Sequence, residues 1–171
     1  MYVIDSDVLM QAKNLHYGFD FCPAFWSWLD EAHAAGTAIS VQKIQDEIKA
    51  GQDELAEWAT ARPGFFPEPD QEVRTQLVGV AEWANGSDYD AGAKSEFLGS
   101  GDYYLIAHAR AKGLTVVTHE RAADTKAKVK IPNACAALHV TCIDPFAMLR
   151  DAGAQFVLGQ GADAKTPGIG A

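Results

Sequence analysis

Short apolar runs alternate along this chain with longer stretches of helical period. The runs 2–5 (Tyr-Val-Ile-Asp), 37–40 (Thr-Ala-Ile-Ser), 114–118 (Leu-Thr-Val-Val-Thr) and 139–143 (His-Val-Thr-Cys-Ile) predict strands. Between them, apolar residues recur at the spacing of a helix face over 7–15, 23–35, 41–50, 52–61, 70–84, 102–112 and 144–151. Gly36, Gly51, Gly113 and Gly153 stand where helix C-caps are expected. β-rich runs separated by helices predict an α/β fold, with a central, mainly parallel sheet and helices on both faces. The stretch 62–100, with Pro63, Pro67 and Pro69, reads as a helical excursion inside one domain spanning 1–158. The tail 159–171 holds four glycines and Pro167 without a periodic face, and is expected to be disordered.

Composition narrows the class. A chain of 171 residues, 48% hydrophobic and 22% charged, can build one ordinary globular core. No apolar run is long enough to cross a bilayer, and Met1 leads straight into Tyr2-Val3-Ile4 without a basic flank, so a cytoplasmic protein is expected. Cys22, Cys135 and Cys142 do not resemble a disulfide framework, and Cys135, His139 and Cys142 match no familiar zinc spacing. The net charge of −9 argues against phosphate-rich partners, but its distribution is uneven. Residues 46–102 carry 13 acidic and 4 basic side chains, whereas residues 103–150 carry 7 basic and 3 acidic.

Four acidic positions fall where elements begin or end: Asp5, Glu47, Asp102 and Glu120. Carboxylates brought from separate elements to one spot form the hard oxygen environment that Mg²⁺ or Mn²⁺ takes. On the helix expected after Ser40, a plausible N-cap, Val41, Ile44 and Ile48 define the buried face. Glu47 lies roughly 60° from Ile44 at the edge of that face, and Asp46 lies on the far side. Asp102 lies along the stripe of Leu105, Ile106 and Ala109, although an Asp opening a helix also suits an N-cap. Asp7 is the more natural cap of the first helix, with Asp5 just before it, and Thr118-His119-Glu120 also suits a polar turn. Lys126, Lys128 and Lys130 alternate; in an extended segment they share one side near Glu120, as phosphate contacts or as a solvated edge. Trp26 and Trp28 cannot share one helical face, which leaves one of them for an interface.

The motif Ile4-Asp5-Ser6-Asp7-Val8-Leu9 resembles the opening of PIN-domain nucleases. Val41 to Ile48 with Glu47 resembles their second motif. Gly101-Asp102 leading an alanine-rich helix resembles the third, and Val116-Val117-Thr118-His119-Glu120 the fourth. Order and spacing agree from residue 2 to about 145, most of the chain. The segments Phe25-Trp26-Ser27-Trp28-Leu29 and Lys130-Ile131-Pro132-Asn133 are similar to a bacterial PIN-like subgroup described as a domain of unknown function. Two positions depart from the pattern: Asp7 replaces the usual Asn or Ser, and Glu120 the usual Asp. The resemblance implies a PIN-like three-layer α/β/α fold and Mg²⁺- or Mn²⁺-dependent cleavage of single-stranded RNA. Asp5, Glu47, Asp102 and Glu120 would hold the metal, supported by Ser6, Asp7 and Thr118, with Lys126, Lys128 and Lys130 on the RNA. It further implies the toxin half of a toxin–antitoxin module, with a small antitoxin protein or a second copy of the chain as partner. Two alternatives stand beside it. A haloacid-dehalogenase-type phosphatase would use Asp5 as nucleophile and Asp7 as acid, but lacks the later Lys and paired-acid motifs. A catalytically silent PIN-like binding module would keep the fold alone.

Overall fold

The computed structural model describes residues 1–157. Four short strands, β1 (Tyr2–Ile4), β2 (Ala38–Ile39), β3 (Thr115–Val117) and β4 (Cys142–Ile143), form one sheet in the order β2-β1-β3-β4. Every pairing is parallel, with Tyr2 opposite both Ala38 and Thr115, and Val116 opposite Cys142. Val3, Ile4, Val116 and Val117 are fully enclosed, which is why the two central strands read as unbroken apolar runs: helices cover both faces. The architecture is three-layer α/β/α, as the alternation of periods predicts.

The helices are α1 (Ser6–Gln11), α2 (Pro23–Ala34), α3 (Gln42–Lys49), α4 (Glu54–Thr60), α5 (Gln71–Gly86), α6 (Ala91–Gly99), α7 (Gly101–Lys112), α8 (Ile131–Ala137) and α9 (Pro145–Asp151). A π-helical turn, Ala12–His16, continues α1. The excursion 62–100 is real and contains two helices, α5 and α6, both packed on α7. α7 in turn lies against β1 and β3, so the excursion supports the helix that carries Asp102. No described helix is long and apolar enough to cross a membrane. The Gly-rich stretch 159–171 and the boundary at 158 lie outside the described residues.

Several local expectations are corrected. Gly36, Gly113 and Gly153 adopt positive φ after their helices, but after α3 it is Gln52, not Gly51, that does so. Ser40 does not cap α3; Val41 holds that position, and the Ser40 hydroxyl donates to the Ile4 carbonyl at 2.7 Å. Neither Asp7 nor Asp102 is an N-cap: Asp5 precedes α1 and Ser100 precedes α7. Trp26 is a core residue whose indole N–H donates to the Tyr17 carbonyl at 2.7 Å, and Trp28 is half-buried against Phe25 and Phe156. Among the described residues the most exposed large apolar side chains are Val157, Leu15 and Phe21.

Candidate functional site

The chain runs from β1 outward to β2, then crosses back to β3 on the opposite side of β1. Such a reversal opens a crevice beyond the carboxyl ends of the two central strands, the usual ligand position in open parallel sheets. Asp5 leaves the end of β1 there and Thr118 the end of β3. The Asp5 amide donates to the Val117 carbonyl at 3.0 Å and the Thr118 amide to the Ile143 carbonyl at 3.1 Å, so the ladder continues one residue past each strand. Both side chains are therefore held by backbone hydrogen bonds before any ligand arrives.

Asp5 is 3% exposed. Its Oδ2 accepts from the Thr118 hydroxyl at 2.8 Å, and Oδ1 lies 3.4 Å from the Ser6 hydroxyl. Thr118 Oγ1 also stands 3.4–3.5 Å from the Asp7 carboxylate and accepts the Glu120 amide at 3.0 Å. Asp7 accepts the His119 amide at 3.3 Å. One hydroxyl thus ties together the Asp5 and Asp7 carboxylates and the Glu120 amide.

Glu47 and Asp102 arrive from α3 and α7. Ile44 and Ile48 are buried and Asp46 is exposed, so the helix face expected from the periodicity is correct. The Gly101 amide donates to Glu47 Oε1 at 2.7 Å, joining the two helices at the residue before Asp102. This contact explains the glycine. A Cβ at position 101 would meet Ile44 Cγ1 at 2.7 Å and Glu47 Oε2 at 2.9 Å. Gly101→Ala is accordingly expected to force α3 and α7 apart and lower stability by about 1–3 kcal/mol, measurable by urea unfolding. A variant as stable as the parent would show that this close approach is not needed.

Glu120 is positioned by a different device. Its Oε2 accepts the Ile131 amide at 2.9 Å, at the start of α8, while Oε1 pairs with Lys130 at 2.9 Å and Lys128 at 3.5 Å. The segment before α8 is a folded-back loop, not an extended strand, so the three lysines do not form one row. Lys126 turns away to Asp88. Lys128 and Lys130 instead bring positive charge into the acidic centre.

The electrostatics follow from this packing. Burial, then the charges of Asp7 and Asp102, raise the Asp5 carboxyl well above the usual carboxylate range. Burial, then Glu120 and Glu47, push Asp102 up to about 6, with Lys128 opposing. Burial also works against ionised Glu120, but the hydrogen bonds from Lys130 and Ile131 prevail and its pKa falls. Asp5, Glu47, Asp102 and Glu120 therefore do share one electrostatic site, and Asp7 belongs with them. Asp102 also lines a small cavity of about 190 Å³ with Lys128, Ser100 and Phe97.

Among the described residues no three His, Cys, Asp or Glu side chains already form a metal cage. Glu47 is taken up by the Gly101 amide, and Glu120 by two lysines and an amide. The acids whose proton affinity the packing raises are Asp5 and Asp102. That pair suits Mg²⁺, which keeps several waters and commonly takes only one or two carboxylates together with substrate oxygens. The donor chemistry fits a hard divalent ion.

Beside Glu120 a groove of about 550 Å³ opens between the end of β3, α8 and α9, lined by His119, Arg121, Pro132, Cys142 and Phe146 among others. His16 reaches its edge from the π-helical turn, and its ring centroid lies 5.7 Å from that of His119 and 5.5 Å from that of Phe146. Sequence reasoning did not single out this group. Its signal, an extra residue in the turn that redirects His16, has no signature in the hydrophobic period.

No curated protein and no solved structure matches the chain. Residues 2–156, a span that includes every described strand and helix and all the acids above, match the model described as "Domain of unknown function (DUF4411)", and the chain belongs to that family.

Proposed function

We propose that this protein is a cytoplasmic PIN-like ribonuclease that hydrolyses single-stranded RNA with Mg²⁺ or Mn²⁺. The observation that carries the reading is the pairing of buried Asp5 with partly buried Asp102 at the carboxyl ends of β1 and β3: burial first, then Asp7 and Asp102 acting on Asp5, and Glu120 and Glu47 acting on Asp102, raise both pKa values. Asp5 and Asp102 would hold the ion, with Glu47 and Glu120 at its margin. When bound, a divalent ion there polarises the scissile phosphate and lowers the pKa of an attacking water. Thr118 fixes the Asp5 carboxylate through its 2.8 Å hydrogen bond, and the Gly101 amide fixes Glu47. Lys128 and Lys130 neutralise Glu120 and offer the remaining positive charge to an RNA phosphate. A phosphatase using Asp5 as nucleophile is the weaker reading, because a buried carboxyl with a raised pKa attacks poorly.

The test uses the purified full chain and a 5′-labelled single-stranded RNA, with Mn²⁺, Mg²⁺ or EDTA. Cleavage that needs the metal, with a generic phosphate monoester left intact, is expected. Turnover of the monoester without RNA cleavage would replace the nuclease with the phosphatase, and metal-independent cleavage would remove the metal site. On this reading the chain is also the toxin of a toxin–antitoxin pair. A small partner would then silence it by placing an Arg or Lys against the carboxylates, where Arg binds in two-pronged fashion. Expression of the chain alone is expected to arrest growth of its native host, and co-expression of the neighbouring gene to restore it. Normal growth in the first case removes the toxin role.

A further inference from the structure

The groove beside Glu120 combines three features that the acidic centre does not use. Phe146, at the start of α9, is 39% exposed although its ring meets those of His16 and His119 at centroid distances of 5.5 and 5.9 Å. Arg121 is exposed, lines the same groove and has no ion-pair partner among the described residues. The groove shares Thr118 and Glu120 with the acidic site and so abuts it. Its volume of about 550 Å³ falls within the range of roughly 300–1,000 Å³ typical of small-ligand sites.

We propose that this groove is a nucleobase subsite, in which one unpaired base of a single strand stacks on Phe146, with the His119 ring inclined 66° to that platform as a side wall, while Arg121 takes the adjoining phosphate. The inference rests on the nuclease reading and extends it to how the strand is gripped. Every base presents a flat π-face, so an exposed aromatic platform binds strands with little regard to sequence. A guanidinium at the mouth matches the phosphate that must follow any stacked base. The strand is favoured over a free nucleotide because the groove is open and abuts the acidic centre through Thr118 and Glu120. It also explains an economy of charge: in a chain of net charge −9, stacking can hold the strand where a broad basic surface is lacking.

Binding of a fluorescent eight-nucleotide single-stranded RNA, followed by anisotropy with Ca²⁺ present and strand integrity checked by gel, tests the proposal. The same strand with one abasic position, placed in turn along its length, is the second probe. Phe146→Ala is expected to weaken binding of the intact strand about tenfold, in line with the stacking loss seen on alanine substitution. At one position of the abasic series, the parent should lose a similar factor and Phe146→Ala should lose nothing further. Arg121→Gln should weaken intact and abasic strands alike and flatten the salt dependence. Equal weakening of all strands by Phe146→Ala, no weakening, or no binding by the parent would each overturn the subsite. Displacement by free AMP as effective as by the strand would assign the groove to a mononucleotide and overturn the strand. A base-dependent Phe146 effect without RNA cleavage in Mn²⁺ would keep the subsite and remove the nuclease, and cleavage without that effect would do the reverse.

Discussion

Asp5→Asn is expected to cut metal-dependent RNA cleavage by on the order of 10³-fold and to raise the melting temperature of the metal-free protein, two effects of opposite sign from one atom. The loss follows from removing a charge that only the ion and the reacting phosphate use. The gain follows from the packing: Asp5 is 3% exposed and lies against Asp7 and Asp102, so its ionised form is desolvated and repelled at once. Asparagine has the same shape and can still accept the Thr118 hydroxyl, while its amide can donate toward Asp7. A gain of about 1–2 kcal/mol would raise the melting temperature by roughly 2–8 °C in a chain of this size. Asp46 supplies the control. It is exposed and faces a separate small cavity beside His108, so Asp46→Asn should leave cleavage within about twofold. Equal loss in both variants would place the site on the wrong face of α3. Loss of activity with a lowered melting temperature would make Asp5 a structural residue.

That contrast between Asp46 and Glu47 was legible in the sequence because Ile44 and Ile48 fix one helix face. The two central strands were legible for a similar reason, since parallel strands buried on both sides must be apolar throughout. α6 was not, because it buries only Ala93 and Phe97 and starts and ends among glycines, leaving no stripe to read. α8 escaped because three alternating lysines before it imitate an edge strand, while its own face is only Ile131, Ala134 and Cys135. The caps went astray where side chains had stronger uses elsewhere. Ser40 is drawn to the Ile4 carbonyl, and Asp7 to the His119 amide and Thr118. The lysines near Glu120 were legible from their spacing, but not which of them pair with it: Lys128 and Lys130 do, and Lys126 does not. Lys128 and Lys130 reach it only because the loop 119–130 folds back, and no period or propensity encodes that return.

Asp102 gives the second large effect, and it depends on pH. Its pKa is 3.8 in an unstructured chain and about 6 in the folded protein, so the native state holds this proton more tightly. Such a group adds stability in full below pH 4, and the contribution is lost as pH rises through 6. The difference amounts to about 3 kcal/mol, or roughly 6–12 °C in melting temperature. Asp5 adds to it in the same sense. Glu120 works oppositely, but its lowered pKa confines that term to the region below pH 4.5. His108 and His119, whose pKa values are lowered by burial, also act oppositely, up to about pH 6.5. The difference between the parent and Asp102→Asn cancels the histidine terms that the two proteins share. In EDTA the variant should be the more stable at pH 7.5, by an amount that shrinks toward zero near pH 4. Mn²⁺ should close the gap at neutral pH by stabilising the parent alone, because an ion that binds ionised carboxylates only in the folded state competes with the proton there. A gap that is constant with pH would mean that Asp102 does not titrate in this window. A gap that Mn²⁺ leaves unchanged would remove Asp102 from the proposed metal site, whatever the outcome of the cleavage assay.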